Sequence, residues 1–188
     1  MKQKDLIKQM SDKELQSSLI LSQFMLFGLA IFLSFFLFER LTDWTSLFSW
    51  NVKQIVFYGV IPGLIIVIID VIIMYVLPKK YYDDGGINER IFKKRSIFSI
   101  FIIALVVSIS EELLFRGVIQ TTFGYIFASS IFALIHVRYL RKPVLLISII
   151  LISFYIGYLF EVTGNLLVTI TTHFIVDFLL GIIIRHQK

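Results

Sequence analysis

Residues 97–119 read IFSIFIIALVVSISEELLFRGVI. A helix rises about 1.5 Å per residue, so about 20 apolar residues cross the ~30 Å hydrocarbon core of a bilayer, and this run has that length. It also carries Glu111, Glu112 and Arg116 where hydrocarbon tolerates charge poorly. The stretch therefore reads as a membrane helix with chemistry inside it. Five further apolar segments flank it, at 19–38, 54–77, 122–137, 144–160 and 166–184. The separators behave as membrane-boundary segments do: 39–53 carries Trp44 and Trp50, 78–96 contains Asp83-Asp84-Gly85-Gly86, and 138–143 and 161–165 are short turns. No segment alternates with period two, which excludes a closed barrel. The expected fold is all-α, a polytopic membrane helix bundle of about six transmembrane helices.

Composition agrees with that architecture. Of 188 residues, 57% are apolar and 16% charged, which excludes a disordered chain. The net charge of +5 comes from Lys and Arg in short runs between apolar blocks, the pattern of topology determinants, so no nucleic-acid partner is expected. The absence of cysteine excludes disulfides, thiolate metal sites and a cysteine nucleophile. In a six-span chain one side collects Lys2, Lys4, Lys8, Lys13, Lys79, Lys80, Arg90, Lys93, Lys94, Arg95, Arg138, Arg141, Lys142, Arg185 and Lys188. The other side holds Arg40 and Lys53, so the positive-inside rule places both termini in the cytoplasm. Phe38-Glu39-Arg40-Leu41 offers no small-residue cleavage site, and the first span is expected to be retained.

The informative residues are the ionisable ones within spans: Asp70, Glu111, Glu112, Arg116, His136, His173 and Asp177. One central Asp or Arg opposes insertion by about 2.5–3.5 kcal/mol, so four or five of them oppose it by roughly 10 kcal/mol. Such a burden points to a functional site facing the bundle interior. Glu112 and Arg116 are four apart and fit a buried ion pair. Glu111 is turned about 100° away and stays available as a general base. Phe132 and His136 share one face at i and i+4, as do His173 and Asp177, where the carboxylate can orient the imidazole and favour its protonated form. Asp70 has three equal readings: a partner of Arg116, a partner of a histidine, or a tolerated polar residue.

Two acids, two histidines, an Arg and an Asp in an apolar bundle form a hydrolytic inventory: a base activates water and imidazoles stabilise an oxyanion while bulk water is excluded. A Glu and two His would equally ligate zinc with one position open. Neither the helical H-E-x-x-H motif nor a G-x-S-x-G elbow is present.

Glu111-Glu112-Leu113-Leu114-Phe115-Arg116 matches an EExxxR motif, Phe132 to His136 an FxxxH motif, and His173 to Asp177 the HxxxN/D position of the CAAX protease and bacteriocin-processing (CPBP) family, also called Abi. The chain resembles that family over about residues 97–184, with all three motifs in order. The resemblance divides the chain into 1–96, a tail and two generic transmembrane helices, and 97–188, a four-helix catalytic core. It implies an intramembrane endopeptidase in which Glu111 and His136 activate water. His173 and Asp177 would supply the oxyanion site, with Glu112, Arg116 and Phe132 in support. Asn is common in relatives where this chain has Asp177. An ionised Asp cannot donate a hydrogen bond, which favours an indirect role in holding His173 as imidazolium. The preferred reading requires no cofactor, with zinc as the alternative. The implied partners are a membrane protein or peptide substrate and the lipid bilayer.

Abundant Ile, Lys and Phe without cysteine lean toward a bacterial plasma membrane. The competing function is a non-catalytic immunity or regulatory protein acting by contact with a bacteriocin receptor or sensor kinase. A transporter is a weaker third, resting on Pro62-Gly63 as an interruption of the second span. The span limits place Glu111 slightly to the outer side of its helix centre and His136 near the cytoplasmic end of a short helix. On those limits the two do not share a depth.

Overall fold

The computed structural model describes residues 9–139 and 142–187. Lys2, Lys4, Lys8, Arg141 and Lys188, counted above for orientation, lie outside the described residues. Six principal helices follow one another: α1 Asp12–Leu37, α2 Val52–Val76, α3 Ile97–Phe123, α4 Tyr125–Ile135, α5 Pro143–Thr163 and α6 Leu166–His186. No strand occurs among the described residues. All but α4 are long and apolar enough to cross a bilayer, which makes the chain an integral, multi-pass membrane protein.

Local chemistry starts and stops the helices. Ser11 and Glu14 form a capping box at α1, Ser96 accepts from Ser99 N at 3.1 Å at α3, and Pro143 opens α5. The apolar run of the third span ends before its helix does, because nothing stops α3 until Gly124. That glycine, at φ 86°, takes the reversal that other residues adopt at a cost and launches α4 directly. α4 has 11 residues, about 16 Å or half the hydrocarbon core, so the fourth apolar segment is realised as a half-length helix. The turn Val137–Tyr139 then carries the chain on to the loop after α2, where Arg138 approaches Asp84 at 3.7 Å.

Pro62-Gly63 does not interrupt α2. A π stretch, Val56–Val60, precedes it, and Pro62 withholds the N–H that an α-helix directs to the carbonyl of Tyr58. Thr172 of α6 brings its hydroxyl there, with Oγ1 3.3 Å from Tyr58 O and 3.2 Å from Gly59 O, its one proton shared with Val168 O of its own helix at 3.0 Å. Gly63 permits the close approach, since a Cβ there would stand 3.0 Å from Ile175 Cβ.

α3 is the centre of the bundle: half of its apolar window is buried, against 17–33% for the other four spans. α6 packs on α3 and α2, α5 on α4, and α1 on α3. A core of Leu113, Leu114, Phe115, Val118, Phe132 and Leu166 surrounds the middle of α3. At one end of the bundle Arg90 binds Asp12 at 2.8 Å, and Gln187 Nε2 lies 3.7 Å from Met74 Sδ. The described chain thus begins and ends beside the loop that joins α2 to α3.

The opposite end is closed by Asn165, which is fully buried. Its amide donates to Ser49 O at 2.8 Å and Gln54 Oε1 at 2.9 Å, and its Oδ1 accepts from Ser49 N at 3.2 Å and Leu167 N at 3.1 Å. One side chain therefore caps α6 and ties it to the loop before α2. Asn165→Ala strands several buried polar groups and is expected to cost about 2–4 kcal/mol, measured as a lower thermal midpoint in detergent micelles.

Candidate active site

The i, i+4 spacing brings Glu112 and Arg116 together, with Glu112 Oε2 3.4 Å from Arg116 Nε and both side chains fully buried. Directly after the acid pair the helix widens into a π stretch, Leu113–Gln120, a local geometry that recurs at functional sites. Arg116 Nη2 donates to Ser153 O of α5 at 2.9 Å, and its guanidinium lies 4.5 Å from the centre of the Phe132 ring. A carboxylate, a carbonyl and an aromatic face thus share the compensation of one buried cation.

Glu112 does more than pair with Arg116. Its Oε1 accepts from Nδ1 of His173 at 2.9 Å, so the acid bridges the cation of α3 and the imidazole of α6. The other ring nitrogen, Nε2, stands 3.5 Å from Asp177 Oδ2 and 3.9 Å from Glu111 Oε2. Three carboxylates surround one imidazole, so both of its ring nitrogens stand within 4 Å of an acidic oxygen. Glu111 itself lies off the Arg116 axis, as its rotation along the helix predicts. Gln23 Nε2, on α1, approaches its Oε1 at 3.4 Å.

His136 closes α4 as its C-cap. Nδ1 is 2.8 Å from Phe132 O, and a carbonyl only accepts, so Nδ1 carries the proton and a neutral ring keeps its lone pair on Nε2. The Phe132 ring lies between the two imidazoles, 5.0 Å from His136 and 6.1 Å from His173. On its other side His136 stacks on Tyr139 at 5.7 Å.

The depth difference expected from the span limits disappears in the fold. Glu111 lies thirteen residues before the Gly124 reversal and His136 twelve after it, so each is about 18–20 Å from that turn. A cavity of about 320 Å³ joins them, lined by Glu111, Phe132, His136, His173 and Asp177 and extending to the loop after α2. The structure thereby brings together every catalytic candidate named from the sequence. Asp70 lines the same cavity but pairs with neither Arg116 nor a histidine. Among the described residues no group of three or more His, Asp or Glu side chains has the geometry to hold a metal ion, so the zinc alternative finds no fitting donor set.

Sequence reasoning missed Gln23, which is 3% exposed, and the bridging role of Glu112. Gln23 carried a signal, a lone amide within an apolar helix. The bridge carried none, because 61 residues separate its partners.

Residues 93–179 match the family described as Type II CAAX prenyl endopeptidase Rce1-like. The chain is also similar to YpbD of Bacillus subtilis (strain 168), a protein described as uncharacterized. The two are 44% identical over 152 residues, covering 81% of this chain and 80% of that one. No solved structure matches.

Removing the cation alone leaves Glu112 charged and buried. Arg116→Met is expected to cost about 3–5 kcal/mol, whereas Glu112→Gln combined with Arg116→Met recovers much of that loss. Thermal midpoints of the purified variants in micelles distinguish the two.

Proposed function

The chain belongs to the Type II CAAX prenyl endopeptidase Rce1-like family, and on that premise we propose that it is an intramembrane endopeptidase that cuts a peptide bond in a membrane-embedded or membrane-adjacent protein or peptide. The observation that carries the reading is the convergence of Glu111, His136, His173 and Asp177 on one cavity. Helices α3, α4 and α6 supply all four, and α1 and α2 pack against α3 and α6.

Glu111 takes a proton from water, and the oxygen attacks the scissile carbonyl. Nε2 of His136 accepts a second hydrogen bond from that water and holds its lone pair toward the carbon. His173, fixed through Nδ1 by Glu112, donates from Nε2 to the developing oxyanion. Asp177 acts through His173 by favouring its imidazolium form. Glu111 then returns the proton to the leaving amine, so one water is consumed and one peptide bond becomes a carboxylic acid and an amine. Every group in this sequence belongs to the chain, and no cofactor is invoked.

The bacterial relative and the clustering of Lys and Arg beside the α2–α3 loop support a bacterial plasma membrane with that end in the cytoplasm. The substrate then reaches the cavity from the bilayer or its cytoplasmic surface.

The test compares new peptide termini in membranes from cells carrying the wild-type protein, Glu111→Gln, His136→Ala or His173→Ala at matched levels. Each substitution is expected to reduce the dependent termini by about 10²–10⁴-fold, the usual contribution of a positioned acid–base group. Identical termini in all four, with the cellular phenotype intact, would transfer the protein to the contact reading.

A further inference from the structure

Beyond the catalytic candidates the cavity is also lined by residues of α2, α5, α6 and the α2–α3 loop. Ile152 of α5 packs against a cluster formed by Ile66 and Val67 of α2 and Val176 of α6. One turn beyond that contact, toward the α2–α3 loop, α2 presents Asp70 and α5 presents Ser148, and both line the cavity. Asp70 lies four residues after Ile66 and Ser148 four before Ile152, so each stands about one helical turn from that cluster.

The other cavity carboxylates have partners. Glu111 and Asp177 stand against His173, Asp84 against Arg138, and Glu89 against Lys79, while Asp83 Oδ1 accepts from Gly86 N at 3.0 Å. Asp70 has no hydrogen bond or ion pair among the described residues. An unpaired carboxylate within a transmembrane helix opposes insertion by about 2.5–3.5 kcal/mol, which calls for a compensating use.

The geometry points to Asp70 as a specificity-determining residue that receives a Lys or Arg side chain of the peptide substrate, with Ser148 Oγ as a second acceptor. This rests on the endopeptidase reading above. Its distance from the chemistry follows from helix packing. Gly63 lies against Thr172 and Ile175, beside His173, and Asp70 is seven residues further along α2, about 10 Å away. At about 3.3 Å per extended residue, the cation belongs about three residues from the bond that is cut. Ile152 and Val176 line the same cavity and offer apolar surface to neighbouring substrate residues.

The test uses the full chain carrying Glu111→Gln in phosphatidylcholine nanodiscs, whose neutral headgroups do not concentrate cationic peptides. Two fluorescent apolar peptides are titrated, identical except for one Lys or norleucine. The Lys peptide is expected to bind about tenfold more tightly, with the preference lost in Asp70→Asn and redirected to a Glu-bearing peptide in Asp70→Lys. Equal affinities, or an undiminished Lys preference in the isosteric Asp70→Asn protein, would overturn the assignment. Cleavage is scored separately, with Glu111 intact and mass spectrometry of the products. Cuts about three residues from the Lys support both readings. A Lys preference in binding without cleavage would sink the endopeptidase reading and leave Asp70 as a cation-binding residue.

Discussion

A guanidinium and a carboxylate buried together in an apolar bundle have to be neutralised by neighbours, because hydrocarbon offers no solvation. The Glu112–Arg116 pair sets this requirement, and much of the architecture meets it. α3 takes the centre of the bundle, where both charges are inaccessible. α5 comes close enough for Ser153 O to accept from Arg116, and α4 contributes the Phe132 face. α6 brings His173 onto the remaining Glu112 oxygen. Four helices are positioned by one ion pair, and the cavity lies beside it.

The same pair divides the labour between adjacent acids. Glu112 is held between Arg116 and His173, whereas Glu111, one residue earlier and rotated about 100°, meets the cavity with Gln23 and the far nitrogen of His173. A carboxylate facing the cavity and one held in an ion pair thus arise from consecutive residues through helical geometry alone. Burial keeps both from bulk water, and the π stretch that follows them gives Arg116 its place without breaking the helix.

Polar side chains meet backbone irregularity within the spans, as the membrane demands, for example where Thr121 Oγ1 donates to Arg116 O at 3.1 Å after the π stretch of α3. Thr172 offers its hydroxyl to the carbonyls beside Pro62, one residue before His173, so the repair of α2 also fixes the level of the imidazole. At the opposite end Asn165 seals the entry to α6 with its four hydrogen bonds. Near the basic end, Tyr139 stacks on His136 while Arg138 engages Asp84, which connects the loop after α2 to the site.

The amino-acid order by itself determined the helical class, the membrane setting and which ionisable side chains lie within the spans. Apolar blocks of bilayer length have one satisfactory backbone solution, and charges within them are too costly to be incidental. Spacing also determined the local pairs, Glu112 with Arg116 and Phe132 with His136, because residues four apart meet on any α-helix. The common depth of Glu111 and His136 was legible too, in their near-equal distances from Gly124, but span boundaries drawn from apolar runs concealed it. The tertiary structure alone decided which partner each charge takes. Glu112 reaches His173 across 61 residues, Gln23 reaches Glu111 across 88, and Asp70 is left lining a cavity. Periodicity fixes which residues share a helix face, while the neighbour that face meets depends on rotation and packing between helices distant in the chain.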